Sequence, residues 1–158
     1  MSIRKNIGLC LVGLPANTIL YIVGGTHIRT QENKTFNSAF LFHPDGKVDM
    51  QDKVHLTAYE KNEWQLEPGN QFYVFETRYG KIAILVCYDI EFPEAARKVC
   101  AEGANIIFCS SSTDDEQGFH RVRYTCHARA IENQVYVVHT GGTGWLPTNF
   151  TYKQKNGV

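Results

Sequence analysis

The sequence predicts an α/β layer protein with strands of mixed direction. Three observations carry that reading. Short apolar runs of strand length, rich in β-branched and aromatic residues, recur at residues 19–23, 38–43, 71–76, 81–87, 105–110 and 135–139. Two segments of helical composition, 93–102 and 119–133, alternate with the last three runs. Turn signals crowd the first half instead, where hairpins are expected.

Composition sets the frame. The chain has 158 residues, 43% hydrophobic and 20% charged, with a formal net charge of zero. This is the length and make-up of one globular domain, read over 1–158. No basic excess or charge block points to nucleic acid or to an anionic membrane surface. The five cysteines are an odd number, contain no CxxC pair and share no zinc-ligand spacing with histidines. No metal is expected, and a reducing cytoplasmic setting is.

Residues 1–18 read as a helical or irregular lead-in ending in a turn at Leu14-Pro15-Ala16-Asn17. Arg4 and Lys5 ahead of IGLCLVGL have the outline of a signal peptide. No good small-x-small cleavage site follows, and Pro15, Asn17 and Thr18 interrupt the apolar run, so neither export nor a membrane span is expected. The run ILYIV at 19–23, closed by Gly24-Gly25, predicts a buried strand, and the polar stretch 26–37 a loop or edge. SAFLFH at 38–43 and residues 47–52 flank Pro44-Asp45-Gly46 and predict an antiparallel hairpin. Residues 53–70 are polar and read as a loop that ends at Pro68-Gly69.

Strands at 71–76 and 81–87 follow, around a turn at 78–80. Pro93 opens a helix with a narrow apolar face of Ala95, Ala96, Val99 and Cys100, capped by Gly103. A strand at 105–110 runs into Ser110-Ser111-Ser112. Beyond a polar loop at 113–118, a helix over 119–133 places Phe119, Val122, Cys126 and Ala130 on one side. The strand at 135–139 leads into Gly141-Gly142-Thr143-Gly144, and the tail from Trp145 has no assignment. Strands ending VCYD, FCSSS and VVHTGG finish in polar or small residues, so their C-terminal ends are expected to line one pocket.

Cys87 is the centre of that expectation. A lone strand cysteine is by default core filler. As a nucleophile it needs a proton acceptor, and a positive or N–H-rich site for the developing oxyanion. Six histidines are present, at 27, 43, 55, 120, 127 and 139, and none stands in a Cys–His protease signature. The other candidate is Lys53, in DKVHL, with Glu60 seven residues on. Taken alone, such a lysine is a solvated loop residue.

Three segments in order decide between these readings. DKVHLTAYE, LVCYDIEFPE and HARAIEN resemble the lysine, nucleophile-elbow and RARAxEN motifs of the nitrilase, or carbon–nitrogen hydrolase, superfamily. FNSAFLFHPDGK, PGNQFYVFETRYGKIAI and GANIIFCSSS support the same resemblance, which covers about residues 19–144. It implies a four-layer αββα sandwich, here incomplete, and hydrolysis of non-peptide amide, N-carbamoyl or nitrile bonds through a thioester. Matched by position, Cys87 is the nucleophile. Lys53 and the backbone N–H of Tyr88 hold the oxyanion, and Glu60 is the glutamate beside the lysine. Asp89, Glu94, Arg129, Glu132 and Asn133 are expected to support the elbow and its helices.

The resemblance also implies a homo-oligomer formed through the helix after Cys87 and the helix around Ala128, with no cofactor. Its general-base glutamate lies upstream of the segment matching residues 19–25. Only eighteen residues precede that segment here, and none is glutamate. A fragment of a longer hydrolase, weakly active or inactive alone, is therefore expected. The alternatives are a non-catalytic binding or assembly module, or a true nitrilase.

Overall fold

The structure is a computed structural model that describes residues 20–113 and 115–142. The lead-in before residue 19, the end of the glycine loop and the tail from Trp145 lie outside the described residues. Strands β1 (Ile22–Gln31), β2 (Lys34–Phe42) and β3 (Val48–Asp52) form an antiparallel sheet in that order. Strands β4 (Val74–Thr77), β5 (Gly80–Ile84), β6 (Ile106–Ser111) and β7 (Tyr136–Gly141) form a second. A short helix, α1 (Ala58–Asn62), follows β3, while α2 (Pro93–Ala101) joins β5 to β6 and α3 (Glu116–Asn133) joins β6 to β7.

Chain connectivity explains the strand directions. A tight turn at residues 78–79 links β4 to β5, so that pair is antiparallel. The helical crossovers make β5, β6 and β7 parallel. A parallel strand covered on both faces is apolar at every position, because successive side chains enter opposite layers. The segment from Ile82 to Val86 shows this alternation. Ile82, Ile84 and Val86 pack toward Ala39 and Leu41 of the first sheet. Ala83 and Leu85 pack toward Ala95, Ala96 and Val99 of α2 and Val122 and Cys126 of α3. The layers among the described residues therefore run helices, sheet, sheet, with β5 central.

The structure corrects several expectations. The stretch 26–37, expected as a loop or edge, is a hairpin whose first arm is the edge strand of its sheet, with Glu32 and Asn33 in the left-handed region at its tip. The strand before it does not close at Gly24-Gly25. It passes through them in an irregularity of the ladder, with Gly25 at φ +70°. Nor is β1 buried, since most of its residues are half-buried or exposed. The polar loop 53–70 contains α1, whose start is a Thr57–Glu60 capping box that the bulk polarity of the segment obscured. The strand expected over 81–87 ends at Ile84, because Cys87 starts a 3₁₀ turn. Phe119 is exposed rather than on the buried side of α3. No helix among the described residues is long and apolar enough to cross a membrane.

Candidate active site

Lys53 is placed by backbone contacts on two sides. Its N–H donates to the Asn37 carbonyl at 2.8 Å, and its own carbonyl accepts from Gly69 N–H at 2.8 Å. A Cβ on Gly69 would stand 2.6 Å from the Asp52 carbonyl oxygen, so only glycine lets the 68–69 turn close on the lysine segment. The lysine side chain is 3% exposed and its Nζ lies 2.6 Å from Glu60 Oε2.

Glu60 is the third residue of α1, so the capping box fixes its carboxylate as well as the helix start. The Thr57 N–H and hydroxyl both donate to Oε2, and Asn37 Nδ2 donates to Oε1 at 3.0 Å. Burial pushes the Glu60 carboxyl up, but the hydrogen bonds from Lys53 and Thr57 outweigh it, and the group sits below its ordinary value. Glu60 is thus a carboxylate with both oxygens engaged.

Cys87 reaches the same space from the second sheet. It opens the 3₁₀ turn Cys87–Glu91 at φ +48°, in the left-handed region that a side chain occupies at a cost of about 1–3 kcal/mol. Such strain persists only where the surroundings enforce it, and here Asp89 does. Its fully buried carboxylate accepts the N–H of Val86 at 3.1 Å and of His55 at 2.7 Å, with His55 Nδ1 at 3.1 Å. His55 in turn stacks on Phe92 at 3.8 Å between centroids. Burial pushes Asp89 up, against the pull of these donors.

From behind, Arg129 of α3 donates Nε to the Ile90 carbonyl at 3.1 Å and Nη2 to the Glu91 carbonyl at 3.4 Å. Glu132 pairs with its Nη1, and Asn133 Nδ2 donates to the Arg129 carbonyl at 2.9 Å. These expected supports are in contact with the elbow or with the arginine that holds it. Glu94 is different. It is exposed on the first turn of α2, where a carboxylate favours the helix end rather than the elbow.

The half-buried thiol of Cys87 points at the Ser112 carbonyl, with Sγ and O 4.0 Å apart. Burial pushes the thiol up, and the Lys53 charge and the Ser112 contact oppose that without reversing it. Cys87, Lys53, Glu60 and Tyr88 all line one cavity of about 730 Å³. The strand ends line it too, Ser110, Ser111 and Ser112 at the end of β6 and Thr140, Gly141 and Gly142 at the end of β7. The three C-terminal ends do share a pocket. Tyr59, Trp64, Ile28 and the Glu91–Arg121 pair supply its other walls.

Asn37, Thr57, Asp89's partner His55, and Arg121 were not singled out from sequence. Thr57 alone carried a local signal, the T-x-x-E capping pattern. Among the described residues no group of three or more His, Cys, Asp or Glu side chains is arranged to hold a metal ion.

Comparison with known proteins gives a consistent result. A family model described as carbon–nitrogen hydrolase matches residues 11–156. The Bacillus subtilis protein named "Probable hydrolase YhcX" is 50% identical over 126 residues, covering 80% of this chain and 25% of that protein. Omega-amidase NIT3 of Saccharomyces cerevisiae is 32% identical over 130 residues, covering 75% of this chain and 44% of that one. The crystal structure of yeast Nit3, of the nitrilase superfamily, superposes with a TM-score of 0.76, 32% identity and coverage of 85% of this chain and 50% of that chain. A mutant amidase from Nesterenkonia sp. AN1, with acrylamide added to its active-site cysteine, gives a TM-score of 0.63 at 26% identity, covering 73% of this chain and 46% of that one. The chain spans a quarter to half the length of these relatives.

Proposed function

The chain belongs to the carbon–nitrogen hydrolase family, and from that premise we propose that its cavity is an acyl-transfer site for small non-peptide amides, with Cys87 as nucleophile. The observation that carries this reading is the meeting of a strained Cys87 with a buried Lys53–Glu60 pair in one cavity. Amide is favoured over nitrile because the relatives include proteins named omega-amidases and an amidase.

In this reading the Cys87 thiolate attacks the amide carbonyl carbon, and the carbonyl electron pair moves to oxygen. Lys53 and the Tyr88 N–H stabilise that oxyanion, each such donor contributing about 3 kcal/mol to the transition state. Collapse breaks the C–N bond, the leaving nitrogen takes up the proton that the thiol gave up and departs as ammonia, and an acyl thioester stays on Cys87. Water then cleaves the thioester.

Two of these steps need a proton acceptor, and neither carboxylate among the described residues lining the cavity is free to serve as one. Both carboxylates lining the cavity are engaged, Glu60 by Lys53, Thr57 and Asn37, and Glu91 by Arg121. Burial also keeps the thiol protonated near neutral pH. We therefore propose that this chain alone turns over amides weakly, for want of the family's general-base glutamate, while keeping the acyl-accepting thiol. The same engagement favours, as second reading, a non-catalytic binding or assembly module.

A reducing cytoplasmic setting, suggested by the odd cysteine count, and a homo-oligomer through α2 and α3 complete the proposal. Exposed Tyr124 and Ile131 on α3 fit the latter.

The test uses an activated ester, p-nitrophenyl acetate, and intact-mass analysis. One acetyl group should accumulate on wild-type protein, map to Cys87 and persist because deacylation is slow. Cys87→Ser should remove it. Labelling spread over the cysteines without preference would favour the binding module. Steady amide turnover abolished by Cys87→Ala would overturn the proposed weakness.

A further inference from the structure

A second cavity, of about 550 Å³, opens between α3 and β7, the last strand of its sheet. None of Cys87, Lys53, Glu60 and Tyr88 lines it. Apart from the Cys126 thiol, its polar side chains are all basic. Arg123 and His127 stand four residues apart on α3, which makes them neighbours on one helix face, and His139 meets them from β7. Among the described residues no carboxylate lines the cavity, and the side chains of Arg123 and His127 make no hydrogen bond or ion pair. The acidic residues near the two ends of α3 are turned elsewhere, Glu116 to His120 and Glu132 to Arg129. Neither 1–19 nor 143–158 contains an aspartate or glutamate that could neutralise the cluster.

His139 is the fixed member of the cluster. Its Nε2 lies 2.8 Å from Ser111 Oγ, and the Phe119 ring packs 6.0 Å away between centroids. Burial keeps His139 below its ordinary value, with the Arg123 and His127 charges adding to that, so its ring is neutral at pH 7 and Arg123 carries the permanent charge. A guanidinium without a protein partner, beside two imidazoles, presents several N–H donors to an oxyanion. The rest of the wall, Phe119, Ala130, Ile131 and Val137, is apolar. A ligand that suits both parts carries one oxyanion on a small aromatic or aliphatic body.

We propose that the α3–β7 cavity is a second binding site, for a small carboxylate or phosphate borne on an apolar body, with Arg123 as its anchor. The site does not depend on the acyl-transfer reading. It adjoins the Cys87 cavity, since Gly141 lines both and Ser111, the partner of His139, lines the Cys87 one.

The experiment titrates benzoate, phenyl phosphate and uncharged benzyl alcohol into the whole chain by calorimetry at pH 7. At least one of the two anions should bind about tenfold or more tightly than the alcohol, the size of a charge-assisted contact. The tighter anion names the head group. Arg123→Gln should erase the preference and Arg123→Lys should keep part of it. Arg97→Gln, which removes an equal charge from α2, should leave it intact. Arg123 and Arg97 are both exposed, and circular dichroism checks that the variants fold. Equal binding of all three compounds overturns the proposal. So does a preference that survives Arg123→Gln or falls equally in Arg97→Gln. Protection of Cys87 from iodoacetamide by the bound anion would place the ligand in the other cavity and overturn it too.

Discussion

The carboxylate of Asp89 accepts the backbone N–H of His55 at 2.7 Å. Through that bond the turn that presents Cys87 is fastened to the segment that presents Lys53. Asp89 also takes the N–H of Val86, the residue before the thiol. One fully buried side chain thus ties together the two segments that carry Cys87 and Lys53, the groups that the proposed acyl chemistry uses.

Asp89→Asn tests that fastening. The amide keeps the shape but turns an N–H₂ toward donors, leaving at least one buried N–H unpaired, at about 1–3 kcal/mol. Urea denaturation should show the loss of stability, and the selectivity of iodoacetamide for Cys87 should fall with it. Unchanged stability would mean that the elbow is held by Arg129 alone.

The Lys53–Glu60 pair lends itself to a double-mutant cycle. Glu60→Gln strands a lysine charge that is 3% exposed, and Lys53→Met strands the carboxylate, each costing about 3–5 kcal/mol. The double variant should be less destabilised than the sum of the two singles. Additive losses would show that the two side chains do not interact.

The same pair fixes an acid dependence. The Glu60 carboxyl sits below its ordinary value in the folded chain, so the folded state binds fewer protons there than the unfolded state does. Its contribution is complete above the ordinary glutamate pKa of about 4.3 and is lost as pH falls through the lower folded value. Thermal melts from pH 6 to pH 3 should show a decline that is shallower in Glu60→Gln. Parallel profiles for the two proteins would refute the assignment.

For Cys87 the sign is opposite. Burial holds the thiol protonated above its ordinary range, so alkylation should still be accelerating with pH beyond about 8.5. Lys53→Met removes the charge that opposes burial and should slow alkylation at pH 8 by roughly tenfold per pK unit of further rise. Cys109 and Cys126 are buried and should react later than Cys87. A Cys87 rate that has levelled off by pH 7 would contradict the electrostatics described.

Arg129 carries a last prediction. Its Nε bond to the Ile90 carbonyl satisfies a fully buried residue of the 3₁₀ turn. Arg129→Leu should cost about 1–3 kcal/mol for the unpaired carbonyl, and should make Cys87 alkylation less selective. Arg129→Lys cannot serve the Ile90 and Glu91 carbonyls and Glu132 together, so it should recover only part. Full recovery by lysine would assign the role to charge rather than geometry.

How much of this was legible follows from where each residue's partners lie. The α2 helix was readable because its cues are local, Pro93 at its start and Gly103 at φ +98° after its end. The β2–β3 hairpin followed from Pro44-Asp45-Gly46 for the same reason. The α1 helix was missed although Thr57 and Glu60 spell a capping box, because five residues are too short for a hydrophobic period to emerge. Cys87 looked like the end of a strand because apolar composition continues through Val86. The ladder instead gives way to a left-handed residue, which leaves no mark on composition.

The order of chemical groups along the chain, Lys53, Glu60, Cys87, then the Arg129 helix, was determined by the sequence alone, and so was the alternation that buries β5 on both faces. Tertiary structure decided that Asn37 reaches Glu60 across 23 positions, that Asp89 ties His55 to Val86, and that Arg121 faces the cavity by way of Glu91. Local patterns come from the geometry of a few neighbouring peptide units. A hydrogen bond between distant residues depends on how the layers pack, and no local pattern records it.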